Sequence, residues 1–436
     1  MIKKKRDRMK YAATVLASLV AGVAFSQSPR SLTLGDCVAL ALRTNARVEA
    51  SGARSRLIEL AGSELSVTGL PRLRINAGGI YAPVTSRLGY DPVISNEGQV
   101  NGQLLLEESL FDGGVRSLKE SQNDIDFQRA LHEQRAVERD LTLEVTTHFI
   151  EILRAEREKA LREESITQLS GYLDLLRQLV GGGTAGQTDV LKTEVQLSSD
   201  RLALEEARET LTVAKYQLAE AIGGSIDTSF ELSGALDSLL ISPAHSTSPP
   251  DTLSGNLDLH IAEMEFQSSQ IEASVAAHER YPVISLFADA GVLTSVENLR
   301  LPADQRSSIW GYSVGLSVDG ALFNWGATDR RIEQREVQSE ILRLQNLSLK
   351  RSLQSEYGRT RLQLSLAQTR LGQIRSNLRT VEENYLLTKA LFAGGKALSL
   401  EVLNAQQLLT ETRLAELQTL TDIQMDAAKI RQLSQQ

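Results

Sequence analysis

Long proline-free spans constrain what this chain can fold into more than any other feature of its sequence. Only nine of the 436 residues are proline, and none lies between 93 and 242 or after 302. Because proline breaks the interior of a helix, both spans are free to form very long helices. Apolar residues recur there at spacings of three and four, as across 330–371. A helix over 114–180 would be about 100 Å long at roughly 1.5 Å per residue, which suits a strut that crosses a gap.

The chain also repeats itself at an offset of 211–212 residues. Three landmarks occur in the same order in both halves, and Asn45 matches Asn256 at the same offset. The landmarks are LPRLRI (70–75) with YPVISL (281–286), LLLEESLFDGG (104–114) with LSVDGALFNWG (316–326), and VGGGTAGQTDVL (180–191) with FAGGKALSLEVL (392–403). Ordered matches at a nearly constant offset indicate an internal duplication.

Each half predicts the same elements: a lead-in helix, two strands around a polar loop, a very long helix, a glycine turn and a return helix. We predict lead-in helices at 33–68 and 254–279, strands near 71–82, 99–111, 282–292 and 309–323, long helices at 114–180 and 326–391, and return helices at 188–222 and 399–433. The domains would be a signal peptide (1–26), a first repeat (27–223), a linker (224–251) and a second repeat (252–436).

The predicted strands alternate between apolar and polar residues, which is typical of a sheet with one apolar face. Ile284, Leu286 and Ala288 share one side, while Ser285 and Asp289 face the other way. A soluble sheet packed on helices would alternate in the same manner. Four strands do not close a barrel, and an open sheet edge does not lie in lipid. A membrane location therefore requires several chains, and three chains would supply twelve strands.

The N-terminal segment and the rest of the chain carry charges of opposite sign. Residues 3–10 are basic and 11–25 are apolar, which is the pattern of a secretory signal peptide cut near Ser26. The chain has a net charge of −8, and removing the +5 of the first 26 residues leaves about −13. An acidic body does not favour nucleic acid as a partner. The single cysteine, Cys37, has no internal partner for a disulfide, and we interpret it as a small buried side chain on a helix.

Gly181, Gly183 and Gly186 have the G-x-G-x-x-G spacing of a dinucleotide-binding loop. That function requires a buried strand before the loop, but helical spacing precedes it. In the second repeat Leu398 replaces Gly186, so the spacing is lost. What both copies share is a pair of helices joined by glycines, which favours a helix-turn-helix tip.

The order, spacing and duplication of these segments resemble the TolC-like outer-membrane efflux family. The resemblance covers nearly all of the mature chain and also includes SLTLGDCVALALRTNARV (31–48). One departure is that family members often have proline before the second-strand aromatic pair, where this chain has Ser109 and Ala321.

The resemblance implies a mainly α fold with a small β part. Long antiparallel helical hairpins of a homotrimer would form an α-barrel in the periplasm, continued by a 12-stranded transmembrane β-barrel in outer-membrane lipid. It further implies a passive export duct for small molecules or proteins, without a cofactor. The duct would serve a periplasmic adaptor (membrane fusion protein) and an inner-membrane pump of RND or ABC type, and the sequence leaves the pump class open.

The resemblance assigns functional residues only at the two glycine tips. The gate or constriction candidates are Thr188, Asp189, Lys396, Glu401 and Asn404. The adaptor-docking candidates are Gly181, Gly182, Gly183, Gly394 and Gly395. Family members tie the closed gate with a tyrosine and an arginine, at positions where this chain has Phe392 and Ala397, so we expect a different network here and consider Lys396 as a substitute.

A purely structural role is open for the same residues. Asp189 and Glu401 both lie in the first turn of a predicted helix, where an acid favours the positive end of the helix dipole. Thr188 and Ser399 are of the residue types that cap helix N-termini. For Glu401, a ring of acids in a narrow bore would favour cations.

Two other classes of function are alternatives to the duct. An enzyme is not favoured: the five histidines are scattered, and the common catalytic and metal motifs are missing from the sequence, so we predict no catalytic residue and no metal site. A soluble periplasmic coiled-coil adaptor or scaffold would share the signal peptide and long helices. It would not explain four alternating strands placed at the opposite end of the helices from the glycine tips.

Overall fold

The computed structural model describes residues 31–81, 98–182, 186–223, 230–236, 255–305 and 308–434. The predicted signal peptide (1–26), the loop from 83 to 97, Gly183 and most of the predicted linker lie outside the described residues.

The fold is mainly helical with a small sheet part, which confirms the predicted class. In chain order the elements are β1 (Ser31–Leu32), α1 (Leu34–Thr44), α2 (Ala46–Val67), β2 (Arg72–Tyr81), β3 (Gly98–Phe111), α3 (Val115–Gly181), α4 (Gln187–Ile222), β4 (Glu231–Leu232), α5 (Leu257–His278), β5 (Val283–Ser295), α6 (Val296–Arg300), β6 (Ile309–Asp319), α7 (Ala327–Ala393) and α8 (Ser399–Ser434). The long helices α3 and α7 have 67 residues each, and the return helices α4 and α8 have 36 each. None of the described helices is long and apolar enough to cross a membrane.

The first lead-in helix is interrupted, which corrects the single helix predicted over 33–68. Asn45 separates α1 from α2 in an extended conformation, and its side chain accepts a hydrogen bond from the backbone N–H of Arg47 at 2.9 Å. Asn256 caps α5 in the same way, with the N–H of Asp258 at 3.0 Å. An asparagine side chain satisfies an N–H group that has no partner within its own helix. The matched asparagines are therefore a cap that both repeats retain.

Four strands form one antiparallel sheet in the order β2-β3-β5-β6. Its register places Ile75 beside Leu104, Leu104 beside Ala290, and Ala290 beside Tyr312. The apolar residues predicted to share a face on separate strands thus lie on one face of one sheet. The opposite face is polar: Arg74 pairs with Glu107, and Ser313 donates to Asp289.

The described part of the connection between β5 and β6 contains two short helical segments, and both strands differ from prediction. Strand β5 extends to Ser295, beyond the predicted 292, and is followed by α6 and a 3-10 turn at Ala303–Gln305. Strand β6 ends at Asp319 instead of 323. After it, Trp325 has a left-handed φ of 52° and Gly326 a φ of 75°, a conformation that turns the chain into α7.

The chain divides into two compact units, and each unit takes segments from both repeats. Unit 1 comprises Met1–Ala41, Glu144–Leu240 and Arg370–Gln424; unit 2 comprises Leu42–Leu143, Ile241–Thr369 and Met425–Gln436. Compact units and sequence repeats divide the chain differently because α3, α7 and α8 each contribute to both units.

Unit 2 contains the sheet and the helices beside it. A buried guanidinium, that of Arg139 on α3, holds both carboxylate oxygens of Asp258 at 3.0 Å. Gln432 on α8 donates to Asp140 at 2.7 Å, and Asn256 donates to the carbonyl of Leu433 at 3.0 Å. The charge-assisted bonds to Asp258 and Asp140, together with the neutral bond of Asn256, fix the positions of α3, α5 and α8 within this unit.

Unit 1 is a layer of helices in the order α4-α3-α8-α7. Arg177 on α3 pairs with Glu194 on α4 at 2.9 Å, and Arg375 on α7 pairs with Glu416 on α8 at 2.8 Å. Contacts between α3 and α8 join the two hairpins at the centre of the layer. One apolar cluster of the layer contains Leu169, Tyr172, Leu173, Leu176, Val190, Leu197, Val381, Tyr385, Phe392, Val402, Ala405 and Leu409.

Cys37 lies in unit 1 and is fully buried on α1, as predicted. Burial raises the pKa of its thiol to about 11. A thiol that stays protonated at neutral pH is a poor nucleophile, so Cys37 acts as a small apolar side chain.

Candidate functional site

The second glycine tip, between α7 and α8, closes with two backbone hydrogen bonds. Gly395 has a left-handed φ of 69°, its N–H bonds the carbonyl of Phe392 at 2.9 Å, and the N–H of Lys396 bonds the carbonyl of Leu391 at 2.8 Å. This pair of bonds is the Schellman motif, which satisfies carbonyls at the end of a helix and requires a residue tolerant of positive φ. The second glycine of this tip therefore has a conformational role.

The first glycine tip, between α3 and α4, is built differently. The N–H of Gly182 bonds the carbonyl of Gln178 at 3.1 Å, so α3 ends at these glycines. The N-cap of α4 is Gly186, with φ −92° and ψ 145°, and no side chain makes a cap bond there. The expectation that Thr188 is an N-cap is wrong, because Thr188 already lies inside the first turn of α4.

Glu401 makes the cap of the second return helix. Its carboxylate accepts a hydrogen bond from the backbone N–H of Leu398 at 3.0 Å, three residues earlier. This is the acid half of a capping box, with Leu398 at the cap position. The expectation that Ser399 is the capping residue is therefore wrong. Ser399 is the first residue of α8 and is buried.

The hydroxyl of Ser399 instead bonds a residue of the other hairpin. The Tyr172 hydroxyl on α3 lies 3.0 Å from Ser399 Oγ and 3.3 Å from its carbonyl oxygen, and donates to them. Tyr172 is 3% exposed, and burial raises the pKa of its hydroxyl to about 12, so it remains a donor. Sequence patterns do not predict this pair. Tyr172 and Ser399 are 227 residues apart, and neither helix alone determines how the two helices align.

Phe392 packs against the same tyrosine. The two rings meet edge to face, with centroids 5.3 Å apart and planes at 62°. Edge-to-face geometry is favourable because the ring edge is positive and the ring face is negative. Phe392 thus belongs to the buried apolar cluster of the tip.

A second polar cluster lies deeper in the same layer. Ser165 on α3 donates to Asp200 on α4 and accepts from Gln406 on α8 at 2.7 Å. Gln196 donates to the other oxygen of Asp200 at 3.0 Å, and Gln406 also reaches Thr410 at 3.4 Å. Ser165, Asp200 and Gln406 are all buried. Periodicity places these residues on helices but does not reveal that they meet.

The gate candidates themselves are not brought together within one chain. Thr188, Lys396, Glu401 and Asn404 are exposed, and Asp189 is half-buried. No hydrogen bond or ion pair joins any two of them among the described residues. Lys396, considered as a substitute for the family's arginine, makes no ion pair with any described residue. A ring made of these side chains would need several copies of the chain.

The comparisons with known proteins agree on one family. The model of the outer membrane efflux protein family matches residues 44–224 and 249–434, more than half of the chain. The chain is 24% identical to the proteases secretion protein PrtF of Dickeya chrysanthemi over 464 residues, covering 96% of this chain and 91% of PrtF. It is 26% identical to the solvent efflux pump outer membrane protein SrpC of Pseudomonas putida over 258 residues, covering 58% of this chain and 52% of SrpC.

Solved structures show the same fold. The crystal structure of CusC, described for its transmembrane channel formation, superposes with a TM-score of 0.80 at 15% identity, covering 94% of this chain and 95% of CusC. At 15% identity, the similarity to CusC supports the fold alone. Members of the family are channels and not enzymes. The match decides between the two expectations that were open, a soluble coiled-coil adaptor and a duct, in favour of the duct. The chain belongs to the outer membrane efflux protein family and is an export channel of the Gram-negative outer membrane.

Proposed function

We propose that three copies of this chain join head to tail into one duct, with a gate at the glycine tips. Family members work as trimeric channels with adaptors and pumps. The observation that carries the proposal for this chain is that, among the residues that the structure describes, each unit ends in two edges with no neighbouring element, one from each repeat. Joining a first-repeat edge to a second-repeat edge is a heterologous contact, which closes into a ring when the rotation allows it.

The helical layer of unit 1 has α4 at one edge and α7 at the other, and both expose apolar side chains. On α4, Val195 is 71% exposed and Leu202 is 64% exposed. On α7, Leu386 is 64% exposed and Leu387 is 61% exposed. Apolar surface of this extent on one monomer marks a contact surface. Packing α7 of one copy against α4 of the next would bury both sets.

The sheet of unit 2 has β2 at one edge and β6 at the other. Unpaired edge strands bind other strands unless they are protected. Pairing β6 of one copy with β2 of the next would yield twelve strands in three copies. The apolar face of this sheet would then contact lipid, which fits the exposure of Ile75 (79%) and Tyr312 (85%).

The proposed protein partners are inferred from the exposed glycines of the tips and from the family to which the chain belongs. Gly181, Gly394 and Gly395 are exposed, and a side chain placed at Gly181 or Gly395 would meet no other atom within 4 Å. Such bare turns leave room for another protein to approach closely. We propose that a periplasmic adaptor of the membrane fusion class docks there, and that an inner-membrane pump of RND or ABC type supplies small molecules or proteins as cargo.

The gate would lie where three copies of Asp189, Glu401 and Asn404 approach one another. Glu401 is exposed although its carboxylate also caps α8. A carboxylate can do both because one oxygen accepts the cap bond while the charge remains. Three such charges in a narrow bore would concentrate negative potential and favour cations.

The test is the mass and shape of the full chain extracted from outer membranes in detergent. We expect three chains per particle and a hollow tube in negative-stain microscopy. Val195→Glu should lower the trimeric fraction, because it places a charge on the proposed α4 contact. A protein that leaves with the soluble periplasm, or that stays monomeric without a bore, would refute the proposal.

A further inference from the structure

A cavity lies in unit 1 where residues 234–236 pack against the helical layer. The carbonyl of Leu236 accepts a hydrogen bond from Gln424 on α8 at 3.0 Å, which holds this segment on the layer. The cavity has a volume of about 560 Å³, and α3, α7 and α8 complete its walls. Pockets for drug-sized ligands have volumes of roughly 300–1,000 Å³, so this cavity is large enough for a small organic molecule.

Much of the cavity wall is apolar. Leu153 and Leu161 on α3 line it, together with Leu417 on α8 and Leu236, and all of these side chains are buried. Leucine side chains offer no hydrogen bond to water, so an apolar body that replaces water between them gains free energy. The cavity therefore favours a ligand with an apolar body.

Most charges around the cavity are already paired within the protein. Arg413 on α8 binds Glu164 on α3 at 2.8 Å and Glu382 on α7 at 3.0 Å. Glu416 on α8 binds Arg375 on α7 at 2.8 Å. Two carboxylates share the one guanidinium of Arg413, so this part of the lining keeps an excess of negative charge. An anionic ligand is therefore not favoured.

Glu156 on α3 also lines the cavity, and it makes no hydrogen bond or ion pair with any described residue. It is half-buried, and burial raises the pKa of its carboxyl group. The two lysines that act on it are engaged elsewhere: Lys215 donates to the carbonyl of Phe230 at 3.3 Å, and Lys159 pairs with Glu163 at 3.8 Å. A partly buried carboxylate without a partner is costly, and a bound cation would offset that cost.

The remaining charged residue of the lining, Arg157, is exposed and forms no ion pair with the described part of the chain. Solvent screens a charge in such a position. An inorganic cation is not favoured, because no group of three metal-binding side chains occurs among the described residues. Apolar walls and one unpaired carboxylate together match an organic cation.

We propose that this cavity binds a lipophilic organic cation. The apolar body of the ligand lies between Leu153, Leu161 and Leu417, and its positive charge lies beside Glu156. All lining residues belong to one unit of one chain. The proposal therefore goes beyond the export duct and does not depend on how many copies of the chain assemble.

The experiment is equilibrium dialysis of the full chain against tetraphenylphosphonium, with the same non-ionic detergent on both sides of the dialysis membrane. Tetraphenylborate is the matched probe, because it has nearly the same shape and the opposite charge. Both ions enter micelles, so binding is the saturable part that exceeds uptake by detergent alone. Wild type should bind the phosphonium ion about tenfold more tightly than the borate ion.

Three variants separate the charge of the site from its space. Glu156→Gln keeps the shape and removes the charge, and should weaken phosphonium binding about tenfold without weakening borate binding. Glu163→Gln is the control, because it removes the same charge from an exposed position of α3 outside the cavity, and should bind as wild type. Ala160→Trp fills the cavity from an exposed position and should abolish saturable binding. Thermal unfolding of each variant shows whether it is folded.

The cation site is refuted if wild type takes up no more phosphonium than the micelles do, or if it binds the two ions equally. It is also refuted if Glu156→Gln and Glu163→Gln have the same affinity for the phosphonium ion, or if Ala160→Trp binds it as wild type does. If a variant does not fold, the comparison of the two ions on wild type still decides. None of these outcomes bears on the duct, which is tested separately by mass and shape.

Discussion

The two glycine tips descend from one duplicated segment but stabilise their helices by different means. At the second tip, Gly395 adopts a positive φ in a Schellman motif and Glu401 caps the return helix. At the first tip, Gly186 is an N-cap with ordinary negative φ, and no side chain makes a cap bond. Asp189, which matches Glu401 in the duplication, makes no cap bond to a described residue.

This difference allows the structural role of a residue to be tested against its match in the other repeat. Where one residue bonds the backbone and its match does not, the second residue is a control for the first. The same substitution made at both tips should then have unequal effects on stability. Local stability at each tip can be measured in the intact protein by hydrogen exchange of the flanking helical turns.

The largest difference is expected for truncation of the last core side chain before each tip. Phe392→Ala removes a buried ring that packs on Tyr172, and should destabilise the second tip by about 3–4 kcal/mol. Val180 is its match in the first repeat and only partly buried, so Val180→Ala should cost about 1 kcal/mol. Equal loss of protection in the two variants would contradict the core position of Phe392.

A smaller difference, with effects of opposite sign, is expected for serine at one glycine of each tip, Gly395 and Gly186, which are not matched in the duplication. Gly395→Ser places a side chain at φ 69° and should destabilise the end of α7 by about 1 kcal/mol. Gly186→Ser introduces a capping hydroxyl at φ −92° and should stabilise the start of α4 by a few tenths of a kcal/mol. Exchange that slows in the first variant, or quickens in the second, would overturn the assigned turn geometries.

The smallest difference is expected for the matched acids. Glu401→Ala removes a cap bond and should cost about 0.5–1 kcal/mol at the start of α8. Asp189→Ala removes only a favourable charge near a helix N-terminus, worth about 0.3–0.5 kcal/mol in α4. Glu401→Gln serves as the control, because an amide oxygen can keep the cap bond. If the glutamine variant exchanges as fast as the alanine variant, the charge and not the bond stabilises the cap.

Much of the fold could be predicted because it depends on local patterns. Two proline-free spans predicted helices that end within two residues of α3 and α7 as found. Alternation predicted the four strands and the residues that share the apolar face. The interruption at Asn45 was missed, because a capping asparagine resembles any other polar residue in a helical pattern until its backbone is seen.

The candidate site could be located from the sequence but not assembled. Glycines between helical patterns identified both tips. The Tyr172–Ser399 pair and the Ser165, Asp200 and Gln406 cluster depend on how α3 aligns with α8, and nothing local to either helix determines that alignment. Ser399 was assigned to a cap for the same reason: its position at a helix start is visible in the sequence, whereas its buried partner is not.

The most direct test of a duct constricted at its tips is the reversal potential of the purified protein across a salt gradient in planar bilayers. Wild type should form pores that prefer cations, and Glu401→Gln should reduce that preference while leaving the trimer and the helix cap intact. Pores with the same selectivity in both proteins would place the constriction elsewhere. Failure of the wild-type trimer to conduct at all would contradict the duct.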